Sequence, residues 1–506
     1  MPADLTTPAV TNADDASEGT ASGSTSGNRR ALATAPVWRA LVHLCVPMIA
    51  GLSVGTVYNI VNAGFVGSLH STPMLAALTL AMPVFAVLMA VGGVFGVGGG
   101  TYVSRLIGAE DAVDPVGGTD PLRSPAETAL RIKQLSAFTL WGAVAAGVVV
   151  GVVGLVLATP IATAVGASGD ALVPTAQYIA AMCAFAPAMV ASFALEQLVR
   201  AEGAAVSSMT GVLISTAANF AFDVLFILVL HQGVLGAGIA VGLSNVVMAG
   251  YYVWWLVRRS EAAALAPRWL RLDRELLRTV FGVGVSELLQ SSFLVVSTVV
   301  MNWVAIGYGS ALLAGMGVAL RISQLPEMIC MGVFLGAIPL FAYGYGAGDG
   351  VRLRRAITGA AVAILGFTAV FSTLVLLFRE QVFALFSADA DVLADGTRIL
   401  TAMLVATVFN GISGLVIAVF QATGQMRDAA IMSVAQGVLF VPVVLLGNAW
   451  FGMTGVIWAM TVTELVVFLL GAVLFVAARR EFAGVAESGA AVETGADVLD
   501  AALATA

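Results

Sequence analysis

Read from its amino end, the chain alternates long apolar runs with short polar breaks, and twelve of the runs are long enough to cross a bilayer. They fall at about 41–68, 74–107, 134–158, 172–199, 206–230, 235–257, 279–306, 310–343, 356–378, 397–420, 429–448 and 453–477. A helix needs about 20 apolar residues to span a hydrocarbon core roughly 30 Å thick. No run shows the ten-residue alternation of a membrane barrel strand, and an open sheet edge cannot face lipid, so the runs predict helices. The expected fold class is therefore an all-α polytopic membrane protein with twelve transmembrane helices. At 59% hydrophobic and 10% charged, its 506 residues leave little room for a soluble domain.

The polar breaks carry a directional signal, because Lys and Arg in short loops stay cytoplasmic. Arg29, Arg30, Arg39, Arg105, Arg131, Lys133, Arg200, Arg258, Arg259, Arg352, Arg427 and Arg480 all fall on one side of the alternating pattern. The other side holds Arg379 and Arg398, and Arg321 lies inside a span. Both termini are thus expected in the cytoplasm, with the protein in the plasma membrane. Residues 1–37 and 481–506 lack periodicity and read as disordered tails. Residues 38–258 and 279–480 read as two six-helix bundles, joined by a basic cytoplasmic connector at 259–278. The net charge of −7 says little about partners, because much of the acid lies in the tails; no nucleic-acid partner is expected.

The two bundles are related by duplication. Phe65 to Asp111 aligns without gaps onto Trp303 to Asp349 at a constant offset of 238, pairing Gly98 with Gly336, Gly108 with Gly346 and Asp111 with Asp349. Further on, Arg200-Ala201-Glu202-Gly203 resembles Gln421-Ala422-Thr423-Gly424, and Gly233 with Gly236 resembles Gly452 with Gly455. An even number of spans per half puts both halves in the same orientation, related by an axis along the membrane normal. Alternating-access carriers use such pairs to enclose a central cavity.

Several motifs carry a family resemblance. Pro47 is followed by Tyr58-Asn59-Ile60-Val61-Asn62 and Phe65-Val66-Gly67; Arg200-Ala201-Glu202-Gly203 follows span four; Asn219 and Asp223 lie in span five. Gly317 to Ile322, Pro339-Leu340 and Gly344 to Gly348 complete the set. In order and spacing the chain resembles the multidrug and toxic compound extrusion (MATE) family from Trp38 to Arg480. The resemblance implies export of cationic or amphipathic small molecules, driven by inward movement of protons or sodium ions. It implies no cofactor and no catalysis.

Candidate site residues follow from polarity inside the spans, since a carboxylate at mid-bilayer costs at least about 2.5 kcal/mol. Counting about 1.5 Å per residue, Asp223 lies ~25 Å up span five and Asn62 ~31 Å up span one. Asn219 is one turn before Asp223 on the same face. The resemblance makes Asp223, Asn219, Asn62 and Tyr58 an ion- or proton-coupling site, with Pro47 as the bending point of span one. Asn62 departs from the family, which usually has Asp there, so Asp223 is the only ionisable member.

Glu287, Arg321, Glu327 and Glu464 lie at mid-depth in the second half. They are candidates for a substrate or second ion site, with Arg321 neutralising spare carboxylates, or for a purely structural ion network. Glu196 and Arg200 are spaced for a helix-surface ion pair. Gln177, Gln290, Gln324, Gln421, Gln436 and Asn410 could line a wet cavity or bond across helices, and each reads first as interhelical glue. Met82, Met89, Met182 and Met189, with Phe85 and Phe185, are candidates for an adaptable lining.

No Walker loop, metal-ligand spacing or nucleophile-base pair is found. Cys45, Cys183 and Cys330 read as apolar fillers. The leading expectation is a monomeric secondary antiporter in lipid. The alternatives are a lipid-linked oligosaccharide flippase of the same superfamily and a non-transporting scaffold or receptor.

Overall fold

The structure, a computed structural model, describes residues 32–67, 72–112, 125–260, 262–308, 310–384 and 390–503. Some helical side chains also lie outside the described residues, chiefly those of 57–67, 310–314, 390–395 and 479–503. No strand occurs among the described residues. The main helices are α1 (Val37–Gly67), α2 (Thr72–Ala112), α3 (Pro125–Val156), α4 (Leu172–Ala184), α5 (Ala186–Ala201), α6 (Ala205–Asp223) and α7 (Gly233–Arg259). The second half follows with α8 (Arg274–Ile306), α9 (Ser310–Gly346), α10 (Gly350–Leu377), α11 (Ala390–Thr423), α12 (Met426–Phe451) and α13 (Met453–Leu503).

Ten of these are single helices long and apolar enough to cross a membrane, and α4 with α5 forms one further, broken span. The remaining helix, α8, occupies the position of the predicted seventh span.

The break in span four has a local cause. Pro187 has no N–H to offer the Cys183 carbonyl, and α4 and α5 meet at a 56° bend at Phe185. Gly147 and Gly151 of α3 let that helix press against the bend. An added Cβ there would come 2.6 Å from Pro187 Cα and from Cys183 O respectively. Span five also departs from a simple helix, because residues Val224–Val229 form a π turn directly after Asp223. At the carboxyl end α13 runs on to Leu503, where the sequence pattern predicts a disordered tail. A preformed helix extends cheaply into an Ala- and Glu-containing sequence, since propagation avoids the cost of nucleation.

The duplication reappears in the backbone. Gly203 and Gly424, which end the two related four-residue motifs, both sit at φ 78°. Gly233 and Gly452 both sit at φ 57°. Left-handed backbone of this kind favours glycine.

The halves meet along two related seams. Helix α2 packs on α8 and α9 packs on α1, so the equivalent helices each reach into the opposite bundle. A Cβ at Gly98 would strike the Val280 carbonyl, and one at Gly336 would lie 3.0 Å from Leu44 O and 2.8 Å from Cys45 Cα. At the end of the bundles that carries Arg105, Arg200, Arg259 and Arg352, the contact becomes reciprocal. Gly108 abuts the Tyr343 carbonyl while Gly346 abuts the Arg105 carbonyl, and both pairs are related by the same offset of 238. Arg105 Nη1 donates to Thr423 O at 3.3 Å, and Tyr343 OH donates to Asp111 Oδ2 at 2.9 Å.

Overpacking a closed seam costs about 1–3 kcal/mol. Cys45, 6% exposed and donating to Val333 O at 3.3 Å, reports on it directly. In a Cys183→Ser, Cys330→Ser background, Gly336→Val is expected to speed labelling of Cys45 by a water-soluble maleimide about tenfold. Unchanged labelling would mean that the seam tolerates the added methyls without opening.

Candidate functional site

Two polar sites occur within the spans, one in each bundle. In the first, Asp223 ends the regular part of α6 with 0% exposure, and Asn219 lies one turn earlier at 3%. The π turn begins at the next residue, and such turns recur at functional positions because they re-aim side chains and free carbonyls. Tyr178 of α4 is buried within electrostatic reach of Asp223. Asn219 Nδ2 has no hydrogen-bond partner among the described residues. The side chains of Tyr58 and Asn62 lie outside the described residues. Helix α1 is continuous through Pro47.

The second site is a cavity of about 450 Å³ enclosed by α8, α9, α11, α12 and α13, wholly within the second bundle. Its wall brings together Glu287, Glu327 and Glu464. No Lys, Arg or His stands among its described lining residues. Met301, Met316, Met331, Met403 and Met460, with Phe293, Phe334 and Phe440, are among its apolar lining. Thioethers and aromatic faces adapt to varied ligand shapes, and the rings attract cations.

The carboxylates are joined by amides. Asn410 Nδ2 donates to Glu327 Oε1 at 3.1 Å, and Gln436 Nε2 donates to Glu464 Oε1 at 3.0 Å and to Asn410 Oδ1 at 3.4 Å. Gln290 Nε2 in turn donates to Gln436 Oε1 at 3.4 Å. Glu327 is exposed into the cavity, whereas Glu464 is only 5% exposed. Glu464 Oε2 and Ser433 Oγ, from two residues of the cavity wall, have no hydrogen-bond partner among the described residues.

Glu287 stands where this cavity meets the seam. Its Cγ lies 2.7 Å from where a Cβ on Gly93 of α2 would be, so glycine there is what admits the glutamate. Gln421 of α11 donates to the neighbouring Ser286 Oγ at 3.2 Å, and Arg200 of the first bundle lies within electrostatic reach of Glu287.

Arg321 is not part of this group. Glu327 lies six positions beyond it on α9, a rotation that leaves the two about 120° apart around the helix. Arg321 is exposed, does not line the cavity, and makes no ion pair among the described residues. The pair Glu196 and Arg200 exists at 3.5 Å, but it is buried between helices and not on a helix surface, because α1, α6 and α7 close over it. Ser208 Oγ donates to Glu196 Oε1 at 3.3 Å, and Arg200 Nη1 rests on Met48 Sδ at 2.8 Å.

The residues expected to line a pocket are elsewhere. Met182 and Met189 are fully buried core, and Met82 is exposed on the other bundle. Of the six amides read as interhelical glue, Gln290, Asn410, Gln421 and Gln436 line the cavity, while Gln177 and Gln324 do not. Tyr178 and Ser433 carry no sequence signal, since a lone tyrosine or serine in an apolar run is ordinary filler.

Two related helical bundles, joined at glycine seams and holding buried acids and an adaptable cavity, define a membrane transporter. Comparison with known proteins narrows the class. The family model MatE matches residues 126–225 and 287–446. The multidrug export protein MepA of Staphylococcus saprophyticus is 34% identical over 445 residues, covering 88% of this chain and 94% of that protein. MepA of Staphylococcus aureus strain MSSA476 is 34% identical over 429 residues, 85% of this chain and 91% of its own. The chain belongs to the MATE family of multidrug efflux transporters.

Solved structures agree on the fold. An outward-facing MATE family transporter superposes with a TM-score of 0.79 at 24% identity, covering 90% of this chain and 98% of that one. A MATE in the straight conformation superposes at 0.80 and 24%, covering 91% and 99%.

Proposed function

We propose that the protein exports organic cations across the plasma membrane in exchange for protons or sodium ions, with both termini in the cytoplasm. The observation that carries this reading is the second-bundle cavity, whose wall holds three carboxylates and no basic side chain among its described residues. A buried carboxylate is costly unless a proton, a metal cation or an organic cation neutralises it. Those neutralisers compete for the same oxygens, and mutually exclusive occupancy is the thermodynamic core of exchange. The methionines and phenylalanines accept ligands of different shape, while the acids require positive charge.

Asp223 is the second element of the proposal. It is buried in the first bundle beside Asn219 and Tyr178, and its change of charge would alter the cost of burying that region as access alternates. Loading and release thus follow the ionisation of two separated acidic sites.

The test is transport by purified protein in liposomes, with ethidium as the reporter. An imposed proton gradient, or a sodium gradient in a parallel arm, is expected to drive ethidium against its own gradient, and dissipating the active gradient is expected to stop it. Failure of both gradients to drive accumulation would overturn the antiport reading.

A further inference from the structure

We infer that Glu464 and Ser433 form the polar end of the substrate site and select cations that carry an N–H group, such as protonated amines and amidinium ions, over quaternary ammonium ions. This inference rests on the proposed export of organic cations and adds to it a rule about which cations bind best. Two buried acceptors lack a donor among the described residues. Glu464 is 5% exposed, and its Oε1 is already occupied by Gln436 Nε2 at 3.0 Å, while Oε2 accepts nothing. Ser433 is 0% exposed, and its Oγ makes no hydrogen bond. Both residues line the same cavity.

A buried acceptor left without a donor carries its full desolvation cost, and it is heavier for a charged group. Attraction to positive charge alone does not remove that cost, because the lone pair still lacks a hydrogen. A protonated amine supplies both the charge and the hydrogen, making a short charge-assisted bond to Oε2, with the serine hydroxyl as a second acceptor. A quaternary ammonium ion buries its charge behind methyl groups, so it satisfies the Coulombic part and leaves Oε2 and Oγ unpaired. Glu327 does not discriminate in this way, since it is exposed into the cavity. The amide chain through Asn410 and Gln436 gives Oε1 its donor, which leaves Oε2 as the carboxylate oxygen without one.

The test uses two ligands of equal charge and nearly equal shape: a protonated dimethylaminopropyl acridine and its N-methyl quaternary derivative. Binding to full-length protein in lipid nanodiscs is measured by fluorescence, with protein-free nanodiscs subtracted for lipid partitioning. Wild type is expected to bind the protonated amine about tenfold more tightly than the quaternary ion. In Glu464→Gln the preference is expected to fall to about twofold, because a neutral acceptor makes a weaker bond than a carboxylate. In Ser433→Ala it falls to an intermediate value.

Equal affinity of wild type for the two ions would overturn the inference whether or not any variant folds. So would a preference that survives unchanged in a folded Glu464→Gln protein. Liposome transport of the same pair separates the two levels. Export of both ions with no preference removes the selection rule and leaves cation export standing. Wild type that neither binds nor exports either ion removes both.

Discussion

Replacing Asp223 by Asn is expected to reduce gradient-driven export by at least about a hundredfold, equivalent to roughly 2.7 kcal/mol in the limiting barrier. The substitution keeps shape and hydrogen-bonding reach but removes the ability to bind and release a proton or to balance a metal cation. Asp223 is fully buried, and Asn219, the neighbour one turn away, cannot take over the titration because an amide does not ionise near neutral pH. The fold should survive, since burying a neutral amide is less costly than burying a carboxylate. The thermal midpoint of the purified variant is therefore expected to equal or exceed that of wild type. Liposome transport and thermal unfolding of one preparation check both statements. Full, pH-dependent export by a folded Asp223→Asn protein would exclude Asp223 as the coupling group.

The largest expected effect on stability lies at the buried pair Glu196 and Arg200. Their side chains are 10% and 4% exposed and 3.5 Å apart, at the end of the first bundle where α5, α6, α7 and α1 converge. Among the described residues Arg200 Nε lacks a hydrogen-bond partner and Glu196 makes the one ion pair to the guanidinium, Glu287 lying only within electrostatic reach. Glu196→Ala strands that charge and is expected to cost about 3–5 kcal/mol. Replacing both residues together, Glu196→Leu with Arg200→Met, is expected to recover most of the loss, because well-packed apolar residues do about as well as a buried ion pair. Unfolding titrations in mixed detergent micelles measure the two differences. Equal losses in the single and double variants would show that packing by the stems, and not stranded charge, sets the cost.

The spans and the duplication were legible in the sequence for a physical reason. A membrane-crossing helix must be apolar for about 20 residues, and this requirement is written in composition alone. The turns at Gly203 with Gly424 and Gly233 with Gly452 were likewise visible as repeated glycines, and each pair adopts the same positive φ. The grouping of the acids was legible as well, since a count of about 1.5 Å per residue puts Glu287, Glu327 and Glu464 at one level and all three line one cavity.

Facing was not legible. Which side of a helix meets a cavity depends on how its neighbours are rotated, and no local pattern records this in a chain that is apolar all round. Hence Arg321, placed with the acids by depth, turns about 120° away from Glu327. The cavity methionines come from the second bundle, while those singled out from the sequence belong to the first. The burial of Glu196 and Arg200 also depends on contacts from distant helices. The π turn after Asp223 had no signal, because its apolar residues fit an ordinary helix equally well.

The reciprocal contacts at Gly108 and Gly346 bring main chain against main chain, with no flexible side chain between them. Dispersion attraction falls off within about an ångström of separation, so such a junction has little give. An added methyl at either glycine therefore finds only backbone in its way and must push the two helices apart. Because the two contacts lie on one crossing and mirror each other, a wedge at either one opens both.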